Sequence, residues 1–433
     1  MKRDELAYLT EWKRSSQRKP LIIRGARQVG KTWLIKAFGA SAYQTCAYVN
    51  FESDAILKDL FKQDFDIKRI IEAIQIQTGV HIEQDNTLIV LDEIQEAPGG
   101  LTSLKYFQEN APEYHVICAG SLLGVALSGH TSFPVGKVEF LDLHPLSFTE
   151  FMDAMQENSL LGLLQRKEWA MIRNFKTRFI ELLRQYYYVG GMPEAVLSFS
   201  ERRDFREVRD IQKRILIAYE QDFSKYAPNS IVPRIRMLWN SIPSQLAKEN
   251  KKFIYGTIKE GARAKEYELV MSWLIDCGLI YKINRVTKPA LPLKAYEDFS
   301  AFKLFIVDVG LLGAMGDLDV RTLLEGVGIF EEFKGALTEQ YVLQQLITQN
   351  DIAIFYWAAD NAKSEVDFLV QAAGQVIPIE VKAEENLQAK SLKTYHQKYQ
   401  PQTAIRTSMS DFRKEEWMIN LPLYAISELK SIN

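Results

Sequence analysis

The sequence predicts an α/β fold that opens on a parallel sheet. Three observations predict it. Leu21-Ile22-Ile23 is an apolar run that enters a Gly-rich turn, Gly25-Ala-Arg-Gln-Val-Gly30-Lys31-Thr32, and Trp33 to Phe38 continues it with helical character. Thr87-Leu88-Ile89-Val90-Leu91 is a second apolar run, and it stops on Asp92-Glu93. Between and after these runs, short apolar stretches alternate with segments of helical spacing. Strands buried on both faces read as continuous apolar runs, and crossover helices separate them in parallel sheets.

In chain order, Asp4 to Arg18 reads as a polar helix that leads into the first strand. The turn after that strand matches G-x-x-x-x-G-K-[ST]. A strand entering a Gly-rich turn that opens into a helix aims backbone N–H groups and the helix dipole at a polyphosphate. The nucleotide candidates are therefore Gly25, Ala26, Arg27, Gln28, Val29, Gly30, Lys31, Thr32 and Trp33. Lys31 is placed to reach the β- and γ-phosphates of ATP, and Thr32 to ligate Mg²⁺. The plainer alternative is a chance Gly-rich turn, and the strand–loop–helix context argues against it.

Ala47 to Phe51 reads as the second strand, and Asp54 to Gln77 carries Ile and Leu at helical spacing. The acids that end the next strand sit where ligands collect in open α/β sheets. Asp92 is placed to hold Mg²⁺ and Glu93 to orient an attacking water. Tyr114 to Cys118 is another apolar strand, and Ser121 just beyond it is a candidate γ-phosphate sensor or, equally, a helix N-cap. Asp142 to Phe151 closes the sheet and enters a helix, with Ser147 as cap and Glu150 at its third position.

Composition narrows the field. The chain has 433 residues, 47% hydrophobic and 25% charged, enough for several cores. The formal net charge of −2 supplies no global basic field, so any nucleic acid must meet a local patch. Its 3 cysteines, Cys46, Cys118 and Cys277, have no metal-ligand spacing and fit a reducing compartment. With no membrane-length apolar stretch and no signal region, the expectation is a cytoplasmic protein without a membrane partner.

The first ~150 residues resemble the P-loop domain of AAA-type ATPases in a large prokaryotic family that joins this domain to a C-terminal domain of unknown function. The residues that carry the resemblance are Arg24 to Thr32, Leu91-Asp-Glu-Ile-Gln95, Ala119-Gly-Ser121 and His144 to Phe151. Tyr188-Val-Gly-Gly-Met-Pro-Glu194 is similar to the family's Gly-Gly-x-Pro turn at the start of a helical lid. Two departures bear on rate. The family's Gly-Arg before the last strand is Gly136-Lys137 here, and Lys keeps the charge but loses the planar fork. AAA-type lids often place an Arg soon after the lid turn, where this chain has Met192, Pro193 and Glu194. The resemblance thus implies ATP hydrolysis that is slow in the isolated protein.

Ser230 to Ala247 and Lys265 to Cys277 repeat apolar residues at helical spacing, and Gly278 to Val286 alternates as a strand before a Pro289–Pro292 turn. Helix, helix, strand, turn, strand is a winged-helix pattern, and the family resemblance implies such a module here. Between Lys248 and Lys294 ten Lys/Arg face five Asp/Glu. Lys259, Arg263 and Lys265 are candidate contacts to DNA or RNA phosphate, with an ordinary solvated face as the alternative.

Phe305 to Leu312 resembles the family's linker into the last domain. There, helix Phe330–Ile347, strands Asp351–Tyr356, Ser364–Val370 and Gln375–Lys382, helix Ala389–Tyr399 and a short strand at Thr403–Arg406 give the order α-β-β-β-α-β. This order resembles the restriction-endonuclease-like core of RecB type, with its D…ExK arrangement. Residues two apart on a strand share a face, so Glu380 and Lys382 do, and the hairpin can bring Asp367 beside them. The expected site uses Asp367, Glu380 and Glu339 to hold Mg²⁺, with Lys382 acting on water or phosphate. Asp360 and Glu365 are alternative acids.

The expected divisions are an AAA-type core at 1–155, a helical lid at 156–205, a winged-helix-like domain at 206–300 and a nuclease-like domain at 301–433. Two outputs are compatible with this plan. ATP turnover drives an end domain that acts on nucleic acid, as a Mg²⁺-dependent nuclease, or the protein is a regulatory switch whose nuclease-like end domain is a non-catalytic module that binds a protein or nucleic acid; a protein partner or a homo-oligomer is expected in either case.

Overall fold

The computed structural model describes residues 1–120, 134–248, 252–325, 331–349, 352–359, 364–385 and 388–431. They form two compact units, one of Lys2–His144 with Trp273–Leu279, the other of Pro145–Ser272 with Ile280–Asn433.

The N-terminal unit is built on five parallel strands in the order β2-β3-β4-β1-β5. They are β1 (Leu21–Arg24), β2 (Thr45–Asn50), β3 (Thr87–Asp92), β4 (His115–Ala119) and β5 (Glu139–Asp142). Helices α1 (Glu5–Arg14), α2 (Lys31–Ala42), α3 (Ala55–Gln63), α4 (Ile67–Thr78) and α5 (Gly100–Asn110) accompany the sheet. β3 and β4 are buried at every position, which is why they read as unbroken apolar runs. The Ile face of α4 packs into the same core as Ile89, Leu91 and Val116. In register, Asp92 lies opposite Asn50 on β2 and Ala119 on β4, so the acids emerge at the C-terminal edge of the sheet. The loop after β1 opens on that edge too.

The C-terminal unit holds an eight-stranded mixed sheet in the order β12-β13-β11-β10-β9-β8-β6-β7. Its strands are β6 (Ile280–Val286), β7 (Glu297–Ile306), β8 (Ala353–Ala358), β9 (Glu365–Ala372), β10 (Gln375–Val381), β11 (Ile405–Ser408), β12 (Arg413–Lys414) and β13 (Ile419–Pro422). Helix Glu331–Ile347, β8, β9, β10, helix Lys390–Tyr399 and β11 reproduce the expected α-β-β-β-α-β order. The division expected at 300 is corrected, because it falls inside β7. The two strands of the expected wing pair with each other, and β6 also runs parallel to β8, so both belong to this sheet. Alternation tells which residues share a face; it does not tell which strand lies alongside.

The expected lid also belongs to this unit. The Gly191 N–H donates to the Asp308 carboxylate (2.6 Å), and the Phe148 N–H to the Gln345 side chain (2.7 Å). Gln344 donates to both Asp308 and Tyr186 at 3.0 Å. All of these side chains are buried. Gly190 sits at φ +72°, and a Cβ there would lie 2.1 Å from the Asp308 carboxylate, so only glycine fits. Ser147 and Glu150 form the expected capping box at helix Phe148–Ala154. Among the described residues no helix is long and apolar enough to cross a membrane.

Candidate nucleotide site and C-terminal acidic cluster

The Gly25–Thr32 turn has the backbone of a phosphate cradle. Gly25 (φ +145°), Gln28 (+65°) and Gly30 (+96°) adopt positive φ, and α2 begins at Lys31. Left-handed turns of this kind curl successive N–H groups toward one side, as nests do. A Cβ on Gly25 would meet the Leu143 carbonyl oxygen at 2.2 Å, so that residue is sterically required. Ala26 and Val29 face the core, Gln28 is exposed, Arg27 is half-buried, and Trp33 is 46% exposed at the mouth.

Lys31 is buried, and its ammonium donates to the carbonyls of Gly25 (2.9 Å) and Ala26 (2.8 Å). Burial lowers its pKa to about 8, against the opposing pull of Glu93 and Asp92. The Thr32 hydroxyl donates to Asp92 at 3.1 Å, which brings together the two expected magnesium ligands from α2 and β3. Asp92 also accepts from the Glu93 N–H (3.1 Å) and from the Tyr48 hydroxyl. Glu93 holds a left-handed conformation (φ +51°, ψ +44°), unusual for a residue with a Cβ, and its carboxylate accepts from Gln95. Such strain gathers at functional sites and costs roughly 1–3 kcal/mol.

Two participants escaped the sequence reading. Tyr48 on β2 reaches Asp92 across the strand pair; strand alternation puts it on one face with Asn50, the residue opposite Asp92. Arg3, 3% exposed, donates to the carbonyls of Val29 (3.0 Å) and His144 (2.8 Å) and so braces the outer wall of the cradle. Nothing in the local pattern around Arg3 announces this. Ser121 lies outside the described residues. Lys137 forms an ion pair with Glu109 at 3.0 Å.

In the C-terminal unit the hairpin of β9 and β10 pairs Phe368 with Ile379, and Asp367 and Glu380 are the next residues along the two strands. One Asp367 oxygen accepts the Val381 N–H (2.8 Å). Glu380 takes the Lys382 ammonium on one oxygen (2.8 Å) and the Leu392 N–H on the other (3.0 Å). Burial would lower the pKa of Lys382, and Glu380, Asp367 and Glu339 outweigh it, so the side chain is held as a cation. Glu339 arrives from helix Glu331–Ile347, but toward a fourth party. Lys303 of β7, wholly buried, puts its ammonium 2.5 Å from Glu365, 3.5 Å from Glu339 and 3.9 Å from Asp367, above the ring of Tyr356. Among the described residues no group of three or more His, Cys, Asp or Glu side chains is arranged to hold a metal ion. The sequence reading gives Lys303 no role; the linker expected there begins only at Phe305. The available signal was a lysine inside the apolar run Ala301 to Ile306. Asp360 lies outside the described residues. Lys259, Arg263 and Lys265 are exposed around the turn before helix Glu268–Asp276.

The strand order, the cradle after β1 and the acid pair after β3 define the N-terminal unit as an AAA-type P-loop domain. Comparison agrees: a family model described as AAA domain matches residues 17–152. Two further models, Domain of unknown function (DUF8612) and Domain of unknown function (DUF4143), match residues 180–322 and 334–426. No curated protein matches the chain. Among solved structures, it is similar to the Orc1 protein of Aeropyrum pernix in complex with DNA, at 14% identity over 72% of this chain and 91% of that one, with a TM-score of 0.27. It is also similar to AMPPCP-bound DnaA from Aquifex aeolicus, at 16% identity over 62% and 86%, with a TM-score of 0.27. Cdc6p from Pyrobaculum aerophilum follows at 12% identity over 74% and 93%, with a TM-score of 0.26.

Proposed function

We propose that this protein is a slow, Mg²⁺-dependent ATPase that works as a nucleotide-driven switch. The observation that carries the reading is the convergence of Lys31, Thr32 and Asp92 at the sheet edge, with Thr32 and Asp92 3.1 Å apart. The residues fit a magnesium ion, since a hydroxyl and a carboxylate from two elements meet where the phosphates would lie. Bound there, Mg²⁺ would neutralise charge on the β- and γ-phosphates. Lys31 leaves the loop carbonyls for the phosphates. Thr32 and Asp92 would hold the ion, and Glu93, kept in place by Gln95, would orient the attacking water. The loop N–H groups from Ala26 to Trp33 would bind the phosphate chain. Lys137 in place of an arginine supports slow turnover. The expected single-turnover rate is below about 1 s⁻¹, and a faster rate in the isolated chain defeats this part of the proposal.

The switch acts on a nucleic acid, a protein or a second copy through the C-terminal unit. Lys259, Arg263 and Lys265 are the candidate phosphate contacts, and binding there weakens steeply with salt. A second reading makes the C-terminal unit a Mg²⁺-dependent nuclease on Asp367, Glu380 and Lys382. Element order favours it, and the company Asp367 and Glu339 keep with Lys303 counts against it. ATP hydrolysis by the full chain, with Lys31→Ala and Glu93→Gln as controls, tests the first reading. Cleavage of DNA and RNA tests the second.

A further inference from the structure

A buried strand position takes a lysine only when something holds its charge. Lys303 is fully buried on β7, and three carboxylates from two other elements converge on its ammonium. Glu339 comes from helix Glu331–Ile347, and Glu365 and Asp367 from β9. These include two of the three acids expected to hold a metal, and the third is committed as well. Glu380 accepts from Lys382 on one oxygen and from the Leu392 N–H on the other. Asp367 accepts the Val381 N–H on one oxygen and turns the other toward Lys303 at 3.9 Å. A magnesium ion demands oxygens at about 2.0–2.1 Å in near-octahedral array. The Lys303 ammonium already stands within 3.5 Å of Glu339 and 3.9 Å of Asp367, and a second cation brought to those carboxylates would be repelled by it. The residues present do not fit the metal.

We infer that Lys303 is the resident cation of this cluster, standing where a divalent metal would have to sit, so that the C-terminal unit takes no metal there and cuts no nucleic acid. The inference deepens the switch reading and rests on it for the role of this unit. The ATPase assignment is read out independently. Lys382 is paired with Glu380 at 2.8 Å at the edge of the cluster.

The test uses the full chain with Lys31→Ala, free of nucleotide, titrated with Mn²⁺ and followed by electron paramagnetic resonance. No Mn²⁺ bound at millimolar concentration, or binding that Asp367→Asn and Glu339→Gln leave unchanged, is the expected result. A Mn²⁺ site lost in either variant overturns the inference, as does metal-dependent cutting of DNA or RNA that Asp367→Asn abolishes. Lys303→Met gives a second reading. It should lower the melting temperature by roughly 5–10 °C, and adding Glu365→Gln should recover part of that loss, as coupled charges do. Equal melting temperatures for the single and double variants would show that the lysine is mere packing and overturn the inference. If Lys303→Met fails to fold, the Mn²⁺ titration decides alone. ATP turnover of chains with intact Lys31 is measured beside these. Its loss would count against the ATPase reading and leave the cation inference standing.

Discussion

Lys31 and Lys303 are both buried lysines near acidic side chains, and they are held in opposite ways. Lys31 rests on two carbonyl oxygens, and burial depresses its pKa to about 8. Lys303 is ringed by carboxylates that more than reverse the effect of burial and raise its pKa. A lysine meant for an incoming anion is kept under-compensated, so that the phosphate completes its coordination. A lysine whose anions are already built in has no capacity left for a ligand. On the proposed reading the contrast separates a site kept ready for an anion from one already filled, even though both combine lysine with aspartate and glutamate.

The largest effect should come from chemistry at the first site. Glu93→Gln is expected to cut turnover by about 10²–10⁴-fold while ATP binding survives, which stopped-flow binding beside a phosphate-release assay measures. A turnover within a few-fold of wild type would remove Glu93 from the mechanism. Next comes stability. Lys303→Met should cost about 3–5 kcal/mol in denaturant unfolding, because it leaves buried carboxylates unpaired. Lys31→Met in the nucleotide-free protein should be neutral or stabilising by about 1 kcal/mol, since it removes a charge that burial disfavours. Equal losses at the two positions would collapse the comparison. Smaller again is Arg3→Met, expected to weaken ATP binding about tenfold with turnover at saturation nearly unchanged, because only the Val29 side of the cradle loosens. A fall in turnover without a change in affinity would contradict that role.

The pH dependence sharpens the same point. Bound phosphates favour charged Lys31, whereas the free site lets the proton go near pH 8. ATP affinity should therefore be flat below about pH 8 and fall by up to tenfold per unit above it, until the pKa of the bound form is reached. The Lys31→Met variant should lose this slope. An affinity that rises with pH would reverse the sign of the argument.

How much of this was legible in the sequence follows from the range of each interaction. The Gly25–Thr32 turn, the Asp92-Glu93 pair and the Ser147–Glu150 cap are written in contiguous residues, and the fold carries each where the pattern puts it. The helix and strand order of the C-terminal domain was legible for the same reason. Arg3 with Val29, Tyr48 with Asp92, and Lys303 with Glu339, Glu365 and Asp367 are pairings across the fold, and local periodicity is blind to them. The pairing of β6 with β8 is of that kind as well, which is how an apparent wing became part of a larger sheet.

The bond from Gly191 to Asp308 has a consequence for inheritance. It ties a turn just after residue 190 to a helix cap more than a hundred residues later, with Gln344 and Tyr186 closing the circle. An exchange that replaced only the last third of the chain would strand these polar groups in the interior of the recipient. The lid-like helices and the end domain must therefore be traded between proteins as one cassette.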